Sequence, residues 1–152
     1  MGETIGFSKE IHKKLAADLF NKTWDLLDKP NRTPEEDLEM IHTAHASRYH
    51  WGQVGTPLEF QRGEWQISRV YAVLEMGESA LFHAKIALRT CQEKGIGDFD
   101  LAFAYEAIAR ANTILKNTAE KAKYLALAKE AGEKITDEGN RDYFFSELET
   151  IS

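Results

Sequence analysis

The chain of 152 residues is short of the residue types that usually settle a protein's chemistry. Its one cysteine, Cys91, has no partner for an internal disulfide, which fits a reducing cytoplasm. Basic residues are in deficit: 19 against 25 acidic ones leave a net charge of −6. That argues against a nucleic-acid-binding protein, whose footprint is a basic face. No apolar run reaches the roughly 18 residues needed to cross a bilayer. The first residues, Met-Gly-Glu-Thr-Ile-Gly-Phe-Ser, lack the basic start and apolar stretch of a signal peptide. Met1-Gly2 is only a fragment of a myristoylation motif. No serine sits in a nucleophile elbow, and Gly95-Ile96-Gly97 lacks the lysine and preceding strand of a phosphate loop. Nothing asks for a cofactor. The 43% hydrophobic and 29% charged content is ordinary for one folded soluble domain, and the expected location is the cytoplasm on the cysteine argument above.

What is present is helical periodicity, used twice. Ile67, Ser68, Tyr71 and Leu74 recur forty-one positions later as Ile108, Ala109, Asn112 and Leu115. Ala80 and Ala84 recur forty-two positions later as Ala122 and Ala126, with the odd residue assigned to the turn. Two helices repeating about every forty residues mark an α-solenoid. The expected pairs span 8–52, 57–93 and 98–134, with a capping helix over 137–151. Ser8, Thr33, Thr56, Asn117 and Asp137 are N-cap candidates, Pro34 and Pro57 follow two of them, and Asp98 or Asp100 is expected to cap the fifth helix. The second helix is predicted to end at Gly52 and the third at Met76. In the second, Leu38, Ile41, Ala44, His45, Arg48 and Trp51 fall on one broad face, with Thr43 and His50 pointing away. In the third, only Gln61, Glu64, Ser68 and Glu75 are left to meet water.

These pairs resemble tetratricopeptide repeats, of the long type seen in kinesin light chains and in bacterial regulators. The resemblance covers about residues 64–134, and more loosely the first two helices. Ile67, Ser68, Tyr71, Ala80, Ala84 and Ala87 carry it in one unit, and Ala109, Ala122 and Ala126 in the next. There Asn112 replaces the usual aromatic residue and Lys129 the last small one. The whole chain also resembles a group of small bacterial helical proteins that supply no activity to carry over. The implied fold is an all-α, right-handed solenoid of about seven antiparallel helices. The implied function is a non-enzymatic scaffold that binds a protein segment or peptide in a concave groove.

Two constellations are candidates for chemistry. His42 and His45 lie three apart, so both imidazoles can reach one point beside the helix. Glu39 precedes His42 by three, but the second Glu-x-x-His unit of a di-iron bundle is missing. A metal on His42 and His45 therefore stands beside a plainer alternative, in which His45 and Arg48 are interior polar residues satisfied by neighbours. The second constellation follows from the resemblance, because the first helix of each repeat lines the concave surface. It places Arg62, Trp65 and Arg69 on one inner helix and Phe103, Glu106 and Arg110 on the next. Glu106 and Arg110 are four apart and able to pair. Arg48, Arg62 and Arg69 have no partner nearby in sequence, which suggests a pocket for a carboxylate on an acidic partner. The alternative is that Asp98 or Asp100 neutralises them. A rival class is an enzyme or small-molecule binder with His42, His45, Arg48, Trp65, Arg69 and Glu106 in one enclosed site. Tyr143, Phe144 and Phe145 span more than one face of the last helix, so a homodimer through it is the further partner expected.

Overall fold

A computed structural model gives the fold and describes residues 6–151. Met1 and Gly2, the fragment of a lipidation motif, lie outside them. The described residues form seven α-helices and no strand: α1 Lys9–Leu27, α2 Pro34–Val54, α3 Pro57–Val73, α4 Gly77–Lys94, α5 Asp98–Ile114, α6 Thr118–Glu133 and α7 Glu138–Leu148. Among them no helix is long and apolar enough to cross a membrane.

Local chemistry sets most boundaries. Ser8 Oγ accepts from Ile11 N–H, and Asp137 accepts from Asn140 N–H. Thr33 and Glu36 close a reciprocal capping box, with Pro34 at the first helical position. The second helix runs two residues past Gly52, to Val54, and closes on Gly55. The third stops at Val73 rather than Met76, because Glu75 adopts a left-handed φ of 59°. Glu75 N–H then bonds Ala72 O, and Met76 N–H bonds Tyr71 O, the pattern of a Schellman terminator. Lys116, at φ 60°, ends α5 in the same way through Thr113 O and Asn112 O. Neither Asp98 nor Asp100 caps α5. Asp98 accepts from the Thr136 hydroxyl at 2.9 Å, and Asp100 is taken by Arg62.

Consecutive helices pack as antiparallel hairpins. Thr23 meets Thr43, and Ser47 Oγ donates to Ala16 O, so α1 and α2 run oppositely. Ser68 Oγ donates to Ala80 O between α3 and α4. The odd-numbered helices form a row in which α1 touches α3, α3 touches α5 and α5 touches α7. Between α3 and α5 the contacts keep a steady offset, as in Arg62 with Asp100, Trp65 with Phe103 and Arg69 with Glu106.

The two central hairpins repeat in one register of forty-one throughout. Both connectors are three residues long, 74–76 and 115–117, so the forty-two spacing read from the alanines is not in the turn. Ala80 and Ala84 are fully buried, whereas Ala122 and Ala126 are exposed. The buried small residues of α6 are Ala128 and Gly132, forty-one past Ala87 and Cys91. A β-carbon on Gly132 would come within 2.5 Å of Phe144, so the missing side chain is the seat of α7. Phe144 is wholly buried there, Phe145 is partly covered and Tyr143 remains exposed.

Two faces differ from the sequence pattern. On α2 the buried residues are Met40, Thr43, Ala44 and Ser47, while Leu38 is 55% exposed. Thr43 is inside because its hydroxyl bonds the Thr23 hydroxyl at 2.8 Å. On α3, Gln61, Glu64 and Ser68 are buried rather than solvated, because neighbouring helices cover α3 on several sides. Gly63, in the same helix, leaves room for the aliphatic stem of Arg48, whose Cδ would lie 2.8 Å from an added β-carbon.

Candidate functional site

The row of odd-numbered helices encloses one aromatic pocket of about 210 Å³. Phe20 and Trp24 come from α1, Trp65 from α3, Phe99 and Phe103 from α5, and Tyr143 from α7. The spacing of four between Phe20 and Trp24, and between Phe99 and Phe103, puts each pair on one helix face. Trp24 and Trp65 lie 5.8 Å apart between ring centroids, tilted by 34°. Phe103 stands edge-on to Trp65 at 5.5 Å, and the Trp65 indole N–H donates to Phe103 O at 3.2 Å. Tyr143, 47% exposed, forms the outer lip.

Polar groups frame these rings. Arg62 holds Asp100 with two parallel hydrogen bonds of 3.0 Å. That bond is the main reason the Arg62 guanidinium sits above its ordinary pKa. Gln61 lies in the wall and donates to Asp100 O, while its own amide oxygen is buried without a partner. Behind Trp65, Arg69 places its guanidinium 5.1 Å from the ring centre and binds Glu147 at 2.8 Å and Glu106 at 3.3 Å. Arg110 closes on Glu106 at 2.6 Å and reaches Glu147 O and the Thr150 hydroxyl on the far side. Burial opposes the charge of Arg69, but Glu106 and Glu147 outweigh it and raise its pKa. Tyr143 is pushed up by burial first, then by the carboxylates of Glu147, Asp28 and Glu106.

A second polar cluster joins α2, α3 and α4. Glu64, 8% exposed, accepts from Arg48 Nε at 2.9 Å and contacts His83 Nδ1 at 2.7 Å. His45 Nε2 lies 2.9 Å from the Tyr71 hydroxyl, and its ring is 5.4 Å from that of His83. Burial first, then His83 and His42, lower the pKa of His45. Among the described residues, no group of three or more His, Cys, Asp and Glu side chains is placed to hold a metal ion. A third pair, His12 and His50, brings two Nδ1 atoms to 2.8 Å at the start of α1, with His12 fully buried. Cys91 is buried and its thiol is pushed up to about 12, mainly by that burial.

Of the residues picked out by sequence, Arg62, Trp65 and Phe103 come together at the pocket. Arg69, Glu106 and Arg110 form the ion network behind it. His45 and Arg48 belong to the separate cluster on Glu64 and His83, so the six residues of the enclosed-site alternative are divided between two places. The arginines without local partners all find carboxylates from other helices: Glu64 for Arg48, Asp100 for Arg62, Glu106 and Glu147 for Arg69. Sequence reasoning missed Phe20, Trp24, Phe99 and Tyr143 as pocket residues. For the two pairs, aromatic spacing of four on α1 and α5 was the available signal. No family model matches this chain, and neither a curated protein nor a solved structure is found to be similar to it.

Proposed function

We propose that this protein is a non-enzymatic scaffold, similar to a tetratricopeptide repeat array, that binds a segment of a partner protein along the odd-numbered helices. In this reading the three hairpins stack as a right-handed solenoid whose concave face is α1, α3, α5 and α7. The supporting observation is the composition of the pocket: all four helices contribute aromatic side chains to one opening of about 210 Å³. A space of roughly 150 Å³ already admits a benzene ring, so the opening has room for one anchoring side chain. Concave sites with an apolar lining and a few polar groups at the edge are the usual form of a recognition site. The segment expected from the sequence was acidic. Because Arg62, Arg69 and Arg110 each face a carboxylate, the apolar body of the anchor, not an acid, is what the pocket takes.

The test is selection from a displayed peptide library, followed by affinity measurements on the chosen peptides. Peptides sharing one anchor residue should emerge, and Trp24→Ala and Tyr143→Ala should each weaken them by about tenfold or more, as truncated aromatic anchors do. No selected peptide, or peptides indifferent to both substitutions, would reject the proposal.

A further inference from the structure

We infer that the occupant of the aromatic pocket is a quaternary ammonium group, carried on a trimethylated lysine of the partner segment. The inference rests on the scaffold reading above and adds the chemistry of its anchor. The first argument is the wall. Six aromatic rings surround the space, two of them indoles, and the face of an aromatic ring carries negative potential that attracts cations. The rings meet at 34°, 57° and 79° rather than stacking flat, so their planes turn around the void. The fold already rests one cation on this cluster, since the Arg69 guanidinium lies over Trp65.

The second argument is charge. Arg62 and Asp100 neutralise each other, and Arg69 and Arg110 are matched by Glu106 and Glu147. Asp28 and Glu59 add two further carboxylates, whose charges act on Tyr143 and Arg62. The surroundings are therefore negative on balance, within a chain of net charge −6. The third argument is the shortage of free acceptors. Both oxygens of Asp100 are held by Arg62, and the unbonded oxygen of Gln61 is buried. A primary ammonium has three donors, and among the lining residues only the Tyr143 hydroxyl is left to accept one. A trimethylammonium has none, and it keeps the charge that a neutral apolar group lacks.

The test uses choline, its uncharged isostere with carbon in place of nitrogen, and a Gly/Ser-flanked lysine peptide with and without three N-methyl groups. The readout is the pair of indole N–H signals of Trp24 and Trp65 in the NMR spectrum. Choline should move both saturably and bind about tenfold more tightly than the isostere. The trimethyl-lysine peptide should bind at least as tightly as choline, and the unmodified peptide about tenfold more weakly than the trimethylated one. Tyr143→Leu, at the exposed lip, should erase the preference for charge while the circular dichroism spectrum stays unchanged. Equal binding of choline and its isostere overturns the inference and leaves the scaffold reading standing. Choline binding more tightly than the methylated peptide overturns the segment-borne occupant. Silent indole signals with all four probes overturn the inference outright, and library peptides that still depend on Tyr143 would then show that the scaffold reading survives it.

Discussion

Arg69→Ala is the substitution whose cost follows most directly from the geometry. The side chain is 12% exposed and bridges Glu106, which is fully buried, and Glu147. Removing one member of a buried pair leaves a charge that neither water nor a partner stabilises, at about 3–5 kcal/mol. Two features place this case at the lower end. Glu106 keeps its 2.6 Å contact with Arg110, and Glu147, 25% exposed, can regain water. The expected loss is therefore about 3 kcal/mol. For a domain of this length that is a fall in Tm of about 6–12 °C. Thermal melting by circular dichroism measures it. A melt of Arg69→Ala within a degree of the parent protein would refute the assignment of Arg69 to a structural network.

Three other outcomes follow. Gly132→Ala forces a β-carbon against the Phe144 ring and should destabilise the protein by about 1–3 kcal/mol, read as a lower denaturation midpoint with loss of α7 protection in hydrogen exchange. Burial and then His12 hold the His50 pKa below its ordinary 6.5, so the unfolded chain binds more protons than the folded one just below that value. Stability should therefore fall as pH drops below 6.5, and His50→Gln should shrink that slope; a slope unchanged by the substitution would contradict the pairing. Thr43→Val breaks the buried hydroxyl pair and strands Thr23 with only its bond to Leu19 O, and should cost about 1 kcal/mol in urea unfolding.

The helices announced themselves through punctuation and period. Thr33-Pro34, Thr56-Pro57 and Asp137 each mark a real start, since caps and prolines act within one turn of chain. The faces of α2 and α3 were harder to read. A helix covered on more than one side buries polar residues that the apolar pattern assigns to water: Gln61, Glu64 and Ser68 lie inside, bonded by the Asp100 and Ala80 carbonyls, Arg48 and His83 on other helices, while the Gln61 amide oxygen keeps no partner. The partners of Arg48, Arg62 and Arg69 lie 16, 38 and 37 residues away, beyond what helical spacing reveals. Trp65 and Phe103 were found through the repeat register. Tyr143 joined them only through the docking of α7, which rests on the small volume of Gly132.

The central claim is that the aromatic pocket of the odd-numbered helices seats the partner's anchor. Chemical-shift mapping of a library-selected peptide on isotope-labelled protein tests it most directly. The largest changes should fall on the Trp24 and Trp65 indoles and on Phe103 and Tyr143. Changes centred instead on His45, Tyr71 and His83, or on the smaller cavity between Leu101, Tyr105 and Leu127, with the two indoles unmoved, would contradict it.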